Sequence, residues 1–189
     1  MSQHRTVAVI VGSLRKDSVT RKVARALEKL TPDLKFTEIE IGNLQPFNQD
    51  LEATPTLEWV KFREQVKATD ALLFATPEYN RSVPGVLKNA IDVGSRPYGS
   101  SVWDGKPGAV ISVSPGGVGG FGANHHLRQS LVFLNVPALP VEAYIGNAFS
   151  LFDAEGELIN DATADFLKSY GEAFSLWIEK ILADEKVAA

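Results

Sequence analysis

The residues best equipped for chemistry stand early. Gly12, Ser13, Leu14, Arg15, Lys16, Asp17, Ser18, Val19 and Thr20 put three hydroxyls and one guanidinium into a single short stretch. The run before it, Thr6 to Val11, is almost wholly apolar and rich in β-branched side chains, as a strand buried on both faces requires. After it, Val23, Ala26, Leu27 and Leu30 recur at helical spacing, which predicts a helix from about Ser18. A turn that ends a strand and opens a helix leaves backbone N–H groups unpaired and aims the positive end of the helix dipole at one spot. Hydroxyl donors and an arginine fork suit that spot to a phosphate dianion. The plainer alternative is an ordinary strand-to-helix turn, with Ser18 as N-cap and Arg15 in solvent; Asp17 weighs on that side. No Gly-Lys-Ser/Thr closes the turn, so it is not a Walker-type triphosphate loop.

Two later stretches add different equipment. Pro77, Glu78, Tyr79, Asn80, Arg81, Ser82 and Val83 offer a flat ring and a donor–acceptor amide, which suit a planar heterocycle or, more simply, make a turn with a surface tyrosine. Ser114, Pro115, Gly116, Gly117, Val118, Gly119, Gly120, Phe121 and Gly122 form the most glycine-rich part of the chain. Gly117 to Gly122 matches the G-x-G-x-x-G fingerprint literally, with Glu142 downstream as a candidate ribose partner. That fingerprint normally occupies the first turn of a six-stranded dinucleotide fold, and here only one strand can follow it. The preferred reading is a ligand-hugging loop whose glycines let the backbone approach a flat ring. The dinucleotide alternative predicts a colourless protein.

These stretches need a frame. Alternation over 34–41 predicts an edge strand, followed by a long loop from Gly42 to about Pro55 and a helix over 57–68 that includes Val60 and Val66. Ala71 to Thr76 and Gly108 to Val113 read as buried strands, and Pro84 sits where a helix should begin. Residues 123–133 read as a helix, and Ala138 to Val141 as a short fifth strand. A last helix is expected from an Asp161 N-cap to about Leu182, burying Phe166, Leu167, Tyr170, Phe174, Trp177 and Ile181. The residues after it, Asp184 to Ala189, are expected to fray. Alternating β and α units predict an α/β fold: a five-stranded parallel sheet wrapped by helices on both faces. Five units fit the flavodoxin-like order 2-1-3-4-5, in which ligands lie beyond the strands' carboxyl ends at the switch between strands one and three. The turns at 12–20, 77–83 and 114–122 meet there. With no internal repeat or linker, residues 1–189 are expected to form one domain.

Composition narrows the function classes. Of the 189 residues, 44% are hydrophobic and 22% charged, as in ordinary globular proteins. A net charge of −4 argues against nucleic acid as a partner. Without cysteine there is no disulfide, thiolate nucleophile or cysteine-held metal. The apolar run after Arg5 is too short to span a membrane and lacks a cleavage signature, so a cytoplasmic location and no membrane partner are expected.

Gly12 to Ser18 resembles the GSLRxxS phosphate loop of the NADPH-dependent FMN reductase family. Thr76 to Asn80, Ser82 to Gly85 and Leu87 to Asp92 resemble its second, more specific signature. The likeness runs from Val7 through the last helix and is closest to the bacterial chromate and quinone reductases of that group. The resemblance implies noncovalently bound FMN, its phosphate held by Ser13, Arg15, Ser18 and Thr20 and by amides among them, Val19 included. It implies further that Pro77, Glu78, Tyr79 and Asn80 line the isoalloxazine, and that Ser114, Gly116 and Gly117 border its other edge. NADPH or NADH is the implied donor, with quinones, chromate, azo compounds or free flavin as small-molecule electron acceptors, and a homodimer or homotetramer is the expected assembly. Asp17 departs from the family's usual glycine, Thr20 from its frequent asparagine, and Arg81 from an aromatic or small residue.

A bound flavin performs hydride chemistry itself, so no catalytic side chain and no metal is needed. The sequence agrees: it holds neither G-x-S-x-G nor H-E-x-x-H, and His125 and His126, being adjacent, diverge on a helix and are read as surface or subunit-contact residues. Glu78 is read as a hydrogen-bonding residue of its loop, and Lys88 with Asp92 as a helix-face ion pair. The expected activity is ping-pong two-electron transfer from NAD(P)H to an acceptor at one shared site. The competing function is a flavodoxin-like FMN electron carrier with no NAD(P)H activity of its own.

Overall fold

The computed structural model describes the backbone of residues 4–188 and the side chains of residues 4–183. Its strands are β1 (Arg5–Val11), β2 (Leu34–Glu38), β3 (Ala71–Pro77), β4 (Gly108–Val113) and β5 (Ala143–Ile145). Its α-helices are α1 (Val19–Leu30), α2 (Leu57–Lys67), α3 (Gly85–Ser95), α4 (Phe121–Phe133) and α5 (Asp161–Ala188). All strand pairs are parallel, and the sheet order is β2-β1-β3-β4-β5, the flavodoxin-like arrangement expected.

Strand geometry explains why β1, β3 and β4 read as unbroken apolar runs. Successive side chains point to opposite faces, and here both faces are covered. Val7, Val9, Val11, Leu73, Ala75 and Ile111 pack with Leu27 of α1 and with Leu167, Tyr170 and Phe174 of α5. Ala8, Ile10, Leu72, Phe74 and Val110 pack with Trp59 and Phe62 of α2, Leu87 and Ile91 of α3, and Leu127 and Leu131 of α4. Tyr170 is fully buried, and its hydroxyl meets the amide and carbonyl of Val110 at 3.1 and 3.0 Å. Burial pushes that phenol's pKa up, so it stays protonated.

Several boundaries differ from expectation, among them the start of α4 at Phe121 rather than 123. The fifth strand is Ala143–Ile145 rather than 138–141; Ala138 makes only an isolated bridge to Gly108. Pro137 and Pro140 lack ladder donors, and Arg128 takes the carbonyls of Leu139 and Val141 at 2.9 and 3.0 Å. The edge strand is Leu34–Glu38 rather than 34–41, with the Ile39 amide still donating to the Val9 carbonyl at 2.9 Å; Leu34 and Phe36 face one core, and Ile39 and Ile41 the other. Asn160, not Asp161, caps α5, its Oδ1 accepting the Thr163 amide at 2.9 Å. That helix also runs past Leu182 to Ala188, through residues expected to fray; Ala189 and the side chains from Asp184 on lie outside the described residues. Phe166, expected on the buried face of the last helix, is 37% exposed, and Val60 of α2 is 43% exposed.

Candidate functional site

The carboxyl ends of β1, β3 and β4 lie side by side, so three turns start next to one another. Val11 is in register with Ala75 and Pro77 with Val113, and the Gly12 amide donates to the Ala75 carbonyl at 2.8 Å. A Cβ on Gly12 would lie 3.2 Å from Leu87 and 3.3 Å from Pro77, so the first turn sits directly on the second.

In the first turn Ser13, Ser18 and Thr20 are almost wholly buried, whereas Arg15, Lys16 and Asp17 are exposed. Ser18 caps α1, its Oγ accepting the Arg21 amide at 3.2 Å. Among the described residues, the amides of Leu14, Arg15, Lys16, Val19 and Thr20 meet no acceptor, and no partner engages the hydroxyls of Ser13 and Thr20. Every fully buried side-chain polar atom among the described residues is hydrogen-bonded, so these two hydroxyls open onto the surface of the turn. Free amides, open hydroxyls and a solvent-side guanidinium form one donor-rich patch.

The second turn is tighter than its sequence suggests. The Tyr79 amide donates to the Ser82 carbonyl and the Ser82 amide to the Tyr79 carbonyl, both at 3.0 Å, with Asn80 and Arg81 at φ 53° and 63°. Two positive φ values between such bonds define a type I′ turn, which presents Tyr79 46% exposed. Glu78 has the hydrogen-bonding role expected of it: Oε2 accepts the Ala123 amide at 3.1 Å, at the positive end of α4, and Oε1 pairs with Arg81 at 3.1 Å. It thereby ties the second turn to the third.

The third turn is held mostly by its own atoms. Ser114 Oγ accepts the Gly116 amide at 3.2 Å, and the Gly116 carbonyl accepts the amides of Gly119 and Asn147 at 3.2 and 3.3 Å. Beneath it, Ser112 Oγ donates to the Gly119 carbonyl at 2.7 Å and accepts from Asn124 Nδ2 at 3.2 Å, while Arg128 Nε donates to Asn124 Oδ1 at 2.9 Å. The glycines are needed for shape. Gly119 and Gly120 have φ 64° and 78°, and a Cβ on Gly122 would lie 2.7 Å from the Arg81 carbonyl. Glu142 is engaged by Tyr144, whose hydroxyl donates to it at 2.6 Å; burial, and next the bond to Glu142 and its charge, push that phenol up to about 12. His125 and His126 diverge as expected, His125 Nε2 meeting the Tyr144 hydroxyl at 3.0 Å and His126 Nδ1 the Ser82 hydroxyl at 2.9 Å.

Elsewhere a cavity of about 440 Å³ opens between α1 and residues 155–158. Its Lys29 is already paired with Glu157 at 2.7 Å, and it offers no comparable set of free backbone donors. Among the described residues, no group of three or more His, Cys, Asp or Glu is placed to hold a metal.

Residues 5–150 match the model of the family described as NADPH-dependent FMN reductase. A quinone reductase of Pseudomonas putida is 59% identical over 182 residues, covering 95% of this chain and 97% of that protein. A 2-hydroxy-1,4-benzoquinone reductase of a Burkholderia species is 41% identical, covering 91% of this chain and 95% of that one. Among solved structures, FerB of Paracoccus denitrificans, a flavoenzyme NAD(P)H:(acceptor) oxidoreductase, superposes with TM-score 0.88 at 42% identity, covering 93% and 98% of the two chains. The chain belongs to the NADPH-dependent FMN reductase family.

Membership makes FMN the cofactor and NAD(P)H the electron donor, and makes this protein an FMN-dependent oxidoreductase. The donor set fits that cofactor. A phosphomonoester needs several N–H and O–H donors converging from one side and one mobile cation, and the first turn has both. The dinucleotide reading of Gly117 to Gly122 falls, since β4 is the fourth strand of a five-stranded sheet and Gly119, Gly120 and Gly122 are committed to positive φ or close packing. Sequence reasoning missed Arg21, Ser112, Asn124 and Arg128. Each acts through backbone carbonyls or buried partners that no motif records; the polar Ser112 inside an otherwise apolar strand was the one visible signal.

Proposed function

We propose that this chain is a quinone-directed NAD(P)H:acceptor oxidoreductase that grips FMN by its phosphate in the first turn. The observation that carries the reading is the unbonded set of amides and hydroxyls in that turn, placed against a second turn that presents Tyr79. Ser13, Ser18 and Thr20 supply hydroxyls, Val19 and its neighbours amides, and Arg15 the mobile charge. Pro77, Glu78, Tyr79 and Asn80 border one side of the ring system, and Ser114, Gly116 and Gly117 the other edge. FMN, once bound, supplies the hydride chemistry. The chain's own residues bind, orient and leave one face accessible.

The names of the Pseudomonas and Burkholderia relatives support a quinone as acceptor. Chromate, azo compounds and free flavin belong to the same proposal, because each requires only access to a reduced flavin. Arg81, in the second turn, is the candidate for the extra phosphate that distinguishes NADPH from NADH; Arg96, at the C-terminal end of α3 and paired with Glu52 at 2.6 Å, is set aside. We extend the proposal to one domain over 1–189, a cytoplasmic location and a homodimer or homotetramer. No helix among the described residues is long and apolar enough to cross a membrane, and Val132 and Phe133 on α4 are exposed apolar residues that a second copy would cover.

The test is direct. The gently purified protein is expected to show a flavin spectrum, to bleach with NADPH, and to regain colour with a quinone. Initial rates at varied donor and acceptor should give parallel double-reciprocal lines. Intersecting lines would overturn the shared site, bleaching without acceptor turnover would favour the electron carrier, and a pale protein that takes up no FMN would overturn the reading whole.

A further inference from the structure

We propose that Arg21 is the positioning residue of the phosphate turn, orienting its amides rather than touching the ligand; the inference rests on the flavin-binding reading above. The Arg21 guanidinium, 22% exposed, makes three bonds at once: Nη2 to the Ser13 carbonyl at 3.1 Å, Nη1 to the Arg15 carbonyl at 3.0 Å, and Nε to Glu38 Oε1 at 2.7 Å. In a trans peptide the N–H points away from the carbonyl it shares a plane with. The peptides whose carbonyls Arg21 holds carry the N–H groups of Leu14 and Lys16. Tethering those two oxygens on one side turns those two amides to the other, where they meet no acceptor within the chain among the described residues. The Arg21 amide meanwhile donates to Ser18 Oγ, so one residue fixes both the loop and the helix cap.

Charge and position separate this role from that of a phosphate ligand. Glu38, the last residue of β2, neutralises Arg21 and holds it against the sheet edge, whereas Arg15 is exposed on the turn itself. The planar five-donor fork is what the job requires, because one rigid group must reach two carbonyls and a carboxylate together. A lysine keeps the charge but concentrates it at one atom.

The experiment compares FMN with riboflavin, which lacks the phosphate, on apoprotein of the unaltered chain and of the Arg21→Ala and Arg21→Lys variants. Titration by flavin fluorescence gives both dissociation constants, and a thermal melt checks folding. Arg21→Ala is expected to weaken FMN binding by about tenfold or more while leaving riboflavin binding unchanged, and Arg21→Lys to recover little of the loss. Full recovery by lysine would show that charge alone suffices and would overturn the positioning role. So would an undiminished preference for FMN in Arg21→Ala, or equal losses for both flavins with a lowered melting temperature. If the unaltered chain binds neither flavin, the cofactor reading itself fails, a result distinct from any seen only in the variants.

Discussion

The first and third turns lie at the same edge of the sheet and are built differently. Turn one, Gly12 to Ser18, has the carbonyls of Ser13 and Arg15 drawn to Arg21 and the amides of Leu14, Arg15 and Lys16 left unpaired among the described residues. Turn three, Ser114 to Gly120, bonds the amides of Ser114, Gly116 and Gly119, leaves those of Gly117, Val118 and Gly120 without an acceptor among the described residues, and rests on the buried chain Ser112–Asn124–Arg128. The glycine-rich stretch looks like the ligand loop on paper, yet Gly119, Gly120 and Gly122 are consumed by positive φ and close packing. The cluster of hydroxyls and the exposed guanidinium stand in the plainer turn. A binding loop is thus marked by the hydroxyls and cation gathered beside its free amides, whereas glycine content marks the geometry a loop must adopt.

If that contrast is right, damage to turn three should appear first as lost stability. Gly119→Ala carries the largest expected effect. Its φ is 64°, and the new Cβ would lie 2.6 Å from the Tyr144 carbonyl carbon. Strain and overlap together should cost about 3 kcal/mol, lowering the urea midpoint by about 1–2 M. A midpoint unchanged from the parent protein would mean the turn is soft and the contrast mistaken.

Asn124→Ala should come next. It removes the donor to Ser112 Oγ and the Ala143 carbonyl and strands Arg128 Nε, all in a buried setting. The expected cost is about 2 kcal/mol in equilibrium unfolding. A milder loss, with an ordered water replacing the amide in a crystal structure, would show that the network can be repaired locally.

Turn one should fail differently. Arg15→Ala removes an exposed side chain that makes no contact needed for folding, so its urea midpoint should match the parent protein's. FMN should nevertheless dissociate about tenfold more readily, one charge-assisted contact discounted for solvent. Unchanged flavin content would take Arg15 off the list of phosphate ligands, and a lowered midpoint would blur the distinction between the two turns.

The sheet and its order were legible because burial on both faces writes β1, β3 and β4 as near-continuous apolar runs. The three turns were legible because strand order alone places them together. β5 was not, since Pro137, Pro140 and the distant Arg128 decide where pairing can start. Arg21 was invisible for a related reason. Just past a helix N-cap it reads as a solvated cation, and only the fold brings Glu38 and two carbonyls within its reach. The end of β2 at Glu38 was not legible either, because the apolar alternation of 34–41 runs on past it.

The second turn sits between the two extremes and offers the smallest and sharpest test. Its type I′ geometry asks for Asn-Gly, and the chain supplies Asn80 and Arg81, the latter at φ 63°. Holding a non-glycine residue there costs about 1 kcal/mol, only partly offset by the largely exposed pair with Glu78. Arg81→Gly should therefore stabilise the protein, raising its melting temperature by about 2–4 °C. The side chain's own contribution would then be read from the ratio of NADPH to NADH turnover. A higher melting temperature with a reduced NADPH preference would mean that the strained backbone is tolerated for what Arg81 recognises. A lower one would mean that the Glu78 pair, rather than the turn's φ values, governs this corner, and would move turn two to the side of turn three, where satisfied contacts set the shape.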